Sequence, residues 1–198
     1  MRLLLPAAVL VCCGVPAAAV HGQETASVRT PLALSRSPAT AGEYEVKAAF
    51  LRNFARFVNW PAVTFPRPDS QLVIGIVGDD PFGVVLTDAI EGRLVDRHPV
   101  HVVHFRWNDA LADCHILFIS GSEVDHLPQI LGAVAGFPVL TVADFEAFAR
   151  RGGAIELKMI GGRVRFDINA SAASAAGLRV SSKLLTLAVR VYAAGEVP

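Results

Sequence analysis

Four stretches of this chain, QLVIGIVG (71–78), PVHVVHF (99–105), CHILFIS (114–120) and PVLTVAD (138–144), are apolar at nearly every position. A strand with one wet face alternates apolar and polar residues, so runs of this kind belong in a sheet covered on both sides. Between and after them lie segments of helical character, PFGVVLTDAIEG, EVDHLPQILGAVAG and the short FEAFARRG. Strands alternating with helices specify an α/β architecture. The expected fold is a single-domain three-layer sandwich. It has a mixed, mostly parallel sheet, helices on both faces and a β-hairpin near the C-terminal end.

The hairpin can be read in register. AIELKMI and RVRFDIN flank Gly161-Gly162, and a two-residue turn there pairs Met159 with Val164, Leu157 with Phe166 and Ile155 with Ile168. That face is apolar and is expected to be core. The other face sets Lys158 opposite Arg165 and Glu156 opposite Asp167, an arrangement that costs about 0.2–1 kcal/mol per like-charged pair. The diagonals Glu156–Arg165 and Lys158–Asp167 offset it, which predicts a solvated face laced by diagonal ion pairs. The sharper alternative is that Lys158 and Arg165 meet an acidic partner or ligand. SSKLLTLAVRVY is expected to close the fold as a helix capped by Ser181 or Ser182.

Order is expected to begin at EYEVKAAFLRNFARFVNWP. Val46, Phe50, Phe54, Phe57 and Val58 recur at helical steps as one apolar stripe, with Lys47, Arg52, Arg56 and Asn59 as the polar remainder. Trp60-Pro61 ends the helix, since proline disfavours helical geometry in the residue before it. Upstream, residues 20–42 lack either period and read as a disordered leader. Residues 1–19 read as an export signal: Arg2, then LLLPAAVLVCC, then small residues Ala17 and Ala19. The folded domain is expected over residues 43–194, outside the cytoplasm, in the periplasm. Cys12 and Cys13 leave with the signal, so Cys114 stands alone and is expected to be buried in its strand.

Composition removes one class of function. Lys and Arg number 18 against 18 Asp and Glu, so no field of one sign is available to gather nucleic acid. The motifs remove others. IGIVGDDPFG (74–83) looks like a phosphate loop, but Asp79 and Asp80 stand where phosphate would sit and Pro81 removes an amide donor. The stretch suits a helix start, with an Asp as cap and proline at the first helical position. His98, His101, His104, His115 and His126 offer no local pair with zinc spacing. No Gly-x-Ser-x-Gly or Ser-x-x-Lys motif is present. Cys114 and His115 point apart on a strand. No catalytic residue, cofactor or metal site is expected.

The first helix carries more. YEVKAAFLRNFARFVNWP resembles the opening signature of the YfiR family of periplasmic proteins, through Tyr44, Lys47, Ala48, Phe50, Leu51, Asn53, Phe54, Phe57, Trp60 and Pro61. GDDPFG, CHILFIS, VLTVADFEAFARRGGAI, RVRFDIN and GLRVSSKLLTLA are similar to later family blocks, in order. The resemblance implies an exported, non-enzymatic regulator that represses an inner-membrane diguanylate cyclase by binding its periplasmic sensor region. It further implies lower cyclic-di-GMP, restraint of biofilm, relief by a peptidoglycan-associated outer-membrane lipoprotein, and a homodimer. Disulfide control, present in some members, does not carry over to a chain with Cys114 alone.

Charge and aromatic placement nominate Lys47, Arg56, Trp60, Lys158, Arg163 and Arg165 as the partner or ligand surface. Tyr44, Phe50, Asn53, Phe54, Phe57 and Pro61 are expected to be structural, Asn53 through a hydrogen bond of its amide. The alternative function is a small-ligand sensing domain with a pocket at the strand ends. A secreted hydrolase is a third reading without a motif behind it.

Overall fold

The computed structural model describes residues 38–90, 92–193, 195 and 196. The expected export signal, and the leader up to residue 37, lie outside the described residues. The chain forms α1 (Pro38–Phe57), β1 (Val58–Asn59), β2 (Leu72–Val77), α2 (Val84–Ile90), β3 (Leu94–Val95) and β4 (His98–Phe105). Then follow β5 (Ile116–Ile119), α3 (Leu127–Ala133), β6 (Leu140–Ala143), β7 (Ile155–Ile160) and β8 (Arg163–Asn169). The last elements are α4 (Ala170–Ala175), β9 (Arg179–Val180), α5 (Ser182–Leu187) and β10 (Arg190–Tyr192). An 8-stranded sheet runs in the order β10-β8-β7-β6-β5-β2-β4-β3. Strands β7, β6, β5, β2 and β4 are mutually parallel. β1 and β9 pair separately, antiparallel.

The apolar runs divide their side chains between two cores, as a doubly covered sheet requires. Leu72, Ile74, Ile76, Ile116, Phe118, Leu140 and Val142 join α1, α2, α4 and α5 on one face. Val77, Leu117, Ile119 and Ala143 join α3 and Phe148 on the other. The three-layer expectation is met. Cys114 lies in the second core, its thiol donating to Leu111 O at 3.1 Å. β4 is the least buried of the long strands, with His101, Val103 and His104 exposed, because only two-residue β3 lies beyond it.

α1 departs from expectation in length and in facing. It begins at Pro38, so residues 38–42, assigned to the leader, are helical. Its buried positions are Lys47, Ala48, Leu51, Phe54 and Ala55, while Val46 is 44% exposed and Phe50 and Phe57 are half-buried. The inward face is thus turned from the aromatic stripe. Ala48 and Ala55 are buried with this face, and Phe50 and Phe54 pack edge-on to Phe166 at 5.5 and 5.4 Å.

Three further elements differ. Asp80 accepts the amides of Phe82 (2.7 Å) and Gly83 (3.1 Å), so Pro81 lies in the turn before α2 and not at its first position. FEAFARRG condenses to a single 3-10 turn, Ala149–Arg151, closed by Gly152 at φ +99°. The final helix stops at Leu187, and Arg190–Tyr192 becomes an edge strand parallel to β8. Its Val-Arg-Val-Tyr alternation has strand period, and the amide of Val189 finds Phe166 O at 2.9 Å. Ser181 is the cap of α5, accepting from Leu184 N at 3.3 Å.

The hairpin has the expected register, Ile155↔Ile168 through Ile160↔Arg163. Gly161 and Gly162 take φ +56° and +73°, the left-handed pair that a tight hairpin turn needs. Its charged face is not the solvated one expected. Glu156 and Asp167 are buried at 6% and 2%, beneath the 149–151 turn and beside β10. Lys158 does reach diagonally to Asp167. Glu156 forgoes Arg165, accepting instead from Ala149 N (3.1 Å) and facing Lys158 at 3.6 Å.

Candidate functional site

In an open α/β sheet, ligands favour the crevice at the carboxyl ends of the strands where strand order reverses. Here that point lies between β2 and β5, since the chain leaves β2 for β4 on one side and returns to β5 on the other. The protein fills it with its own groups. Asp80 takes two amides that a phosphate would want, and Ser122 Oγ accepts the Asp79 amide at 2.9 Å. A Cβ on Gly78 would meet Ser122 Oγ at 2.4 Å. Phe82 packs between Tyr44 (5.4 Å) and Phe118 (4.8 Å). His104 Nε2 stands 3.0 Å from Asp80 Oδ2. Among the described residues, no group of three or more His, Cys, Asp or Glu is placed to hold a metal.

The end of β6 is closed by a polar cluster. Lys47 is only 3% exposed, and its Nζ donates to Asp144 Oδ2 at 2.6 Å and to Glu43 Oε1 at 2.5 Å. Tyr44 OH donates to the same Asp144 oxygen at 3.0 Å, and the ammonium lies 4.3 Å from the Tyr44 ring centre. Burial pulls the Lys47 pKa down, but the bonds to Asp144 and Glu43 outweigh it, and the net displacement is upward. Burial, reinforced by the Asp144 charge, raises the Tyr44 phenol. Lys47, nominated as a surface residue, is therefore an internal tie between α1 and β6. Its partners Asp144 and Glu43 were not singled out in the sequence. An acid directly after a core strand was the available signal for the first.

Beside this cluster the surface opens. β7 pairs with β6 only at Ile155 and Glu156, and β10 covers β8 only from Asp167 onward. The hairpin beyond these residues is a two-stranded overhang. Between it and the outward side of α1 lies a groove of about 480 Å³, lined by Gly42, Glu43, Val46, Phe50, Met159 and the 162–165 segment. Val46 and Met159 are 44% and 45% exposed, and both were expected in the core. Arg163 and Arg165 border it along β8 and are exposed, their side chains leaving the strand on the Lys158 face with no side-chain hydrogen bond or ion pair among the described residues.

The nominated residues therefore separate. Arg163 and Arg165 border the groove through the β8 edge, with Phe50 from the signature on its wall. Lys158, paired with Arg165 in the register, shares its face of the hairpin and is held by Asp167 and Glu156. Arg56 is exposed roughly 15 Å along α1 from Val46, by helical rise. Trp60 is half-buried at that end, donating from Nε1 to Pro138 O at 3.0 Å. Asn53 is half-buried, with no side-chain hydrogen bond among the described residues.

A family model described as YfiR/HmsC-like matches residues 44–189. No curated protein matches the chain. Among solved structures, the chain is similar to one described as an ABC domain in complex with L-Trp from Streptococcus pneumonia, with a TM-score of 0.52 at 10% identity. The match covers 75% of this chain, and the chain spans 60% of the length of that structure. At that identity the likeness speaks for the fold alone.

Proposed function

The chain belongs to the YfiR/HmsC-like family, and from that premise we propose that it represses an inner-membrane diguanylate cyclase by binding the cyclase's periplasmic sensor region. The family is one of periplasmic, non-catalytic regulators of such cyclases. No helix among the described residues is long and apolar enough to cross a membrane. The observation that carries the proposal is the groove between α1 and the hairpin overhang. It is open and apolar at its centre, while the crevice where a small ligand would bind is filled by Asp80, Phe82 and Ser122. Exposed apolar surface bordered by polar residues marks sites of protein association. The ligand-sensing alternative loses ground for the same reason.

In this reading the exported chain acts as a homodimer and lowers cyclic-di-GMP, and an outer-membrane lipoprotein bound to peptidoglycan relieves it by sequestration. Cells lacking the protein are expected to accumulate cyclic-di-GMP. The full chain should restore the wild-type level and a form lacking residues 1–19 should not. Nucleotide levels that stay put on deletion, measured by mass spectrometry, would remove the regulatory reading and leave the fold.

A further inference from the structure

We propose that the open edge of β4 docks a second copy of this chain, the two strands pairing antiparallel across a two-fold axis to make one continuous sheet. The proposal deepens the repressor reading by giving its homodimer a surface. It rests on that reading for the dimer's role and on the edge itself for the pairing. β2 pairs with β4 one-to-one from Val100 to Phe105, whereas β3 covers the outer side of β4 only at His98 and Pro99. Among the described residues, no backbone hydrogen bond from outside the sheet reaches residues 100–105. An unpaired strand edge is a template for another strand, and proteins ordinarily blunt it with lysine, proline, a bulge or brevity. The sheet's other outer strand, β10, has 3 residues and opens on exposed Arg190. The β4 run Val-His-Val-Val-His-Phe carries none of these devices. Apolar groups flank it on both faces. Val103 is 38% exposed, and Leu94, placed on the same face by its pairing with Pro99, is 66% exposed. On the other face a groove of about 210 Å³ lies between the edge and α2, lined by Thr87, Ile90 and residues 100–102 and 104.

Self-complementarity names the occupant. Directly opposed residues of an antiparallel pair share a face, so two copies of one strand place the axis at a residue and not between two. The open run then matches itself over 100–104 about Val102 or over 101–105 about Val103, with β3 of each copy outside the paired stretch. In either register valine meets valine on the axis, and no histidine faces a histidine. With 18 basic and 18 acidic residues, two copies approach without net repulsion. The groove at the hairpin lies beyond β2, β5 and β6 in the sheet order and stays open in such a dimer.

The test is light scattering of the purified exported protein over a dilution series, in which the wild type is expected to be a dimer. Val103→Lys sets like charges beside the axis and should raise the dimer dissociation constant by about 100-fold or more. Val103→Thr, neutral and β-branched, should dimerise as the wild type does. Cys114 is buried, so an introduced surface cysteine is the accessible thiol of the exported chain. A short bismaleimide should link copies through Val102→Cys or Val103→Cys, and not through Thr186→Cys, exposed on α5. Circular dichroism and thermal melts keep loss of fold apart from loss of pairing, and the cysteine variants carry the test should Val103→Lys not fold. A wild type that is monomeric at every concentration would overturn the inference and leave the edge to a strand of another protein. A dimer that V103K leaves intact, or that links through T186C and through neither V102C nor V103C, would overturn it likewise. Neither result touches the repressor reading, which fails instead on unchanged cyclic-di-GMP in the deletion strain, whatever the scattering shows.

Discussion

Lys47 shows how far a residue's type can mislead about its place. A lysine in the first half of an amphipathic helix reads as solvated, yet here it is buried between Glu43, Asp144 and the face of Tyr44. Its presence in the sequence was plain; its partner, 97 residues away, was not. Removing one member of a buried ion pair strands the other, at a cost of about 3–5 kcal/mol. Lys47→Met is therefore expected to lower the unfolding free energy from a urea titration by that amount. Adding Asp144→Leu should recover much of it, since the stranded carboxylate is then gone. His115 supplies the pH dependence. Its Nδ1 accepts the Val73 amide at 3.1 Å, and Phe65 stacks on it at 4.8 Å and on His98 at 4.1 Å. Burial first, then the nearby His98, holds the His115 pKa below its ordinary value, and a bond to the Thr64 backbone opposes this in part. His98, Asp96, Arg97 and Arg67 are the titratable or charged groups around the Phe65 side of this stack. A folded-state pKa below the unfolded one means that the unfolded chain takes the proton first. No stability is lost while both forms are neutral. It falls as pH drops below about 6.5 and stops falling beneath the folded value. His115→Gln can keep the acceptor without titrating, so its urea midpoint should decline less than the wild type's between pH 7.5 and pH 5.

At the level of elements, the hairpin was legible to the register because its information is local. Apolar alternation fixes the face, and two adjacent glycines fix the turn. Gly162→Val forces a β-branched side chain to φ +73°, which is expected to cost about 1–2 kcal/mol, visible as a lower melting temperature. The charged face of the same hairpin was misjudged because what buries Glu156 and Asp167 comes from elsewhere, the 149–151 turn and β10. Likewise Arg190–Tyr192 is a strand because β8 offers an edge, although the preceding Ser181-capped helix suggested continuation. α1 turns Ala48, Leu51, Phe54 and Ala55 inward. The aromatic residues at Phe50 and Phe57, which dominated the periodic signal, were left half-buried.

For the whole molecule, the layered α/β plan was readable because runs such as ILFI in β5 are buried at every position. The groove was readable only in halves: Arg163 and Arg165 as charges, α1 as an aromatic helix. What joins them is the unequal lengths of β6, β7, β8 and β10, which no local pattern reports. The tie between Lys47 and Asp144 has a further consequence, in time. A helix at the start of the domain finds its counter-charge only in residue 144, and Tyr44 waits for the same oxygen across 100 positions. Until that late segment is delivered, the ammonium is better left in water than in a core. Closing so long a loop is slow. The tie is thereby expected to close late in synthesis, a timing that suits a member of a periplasmic family.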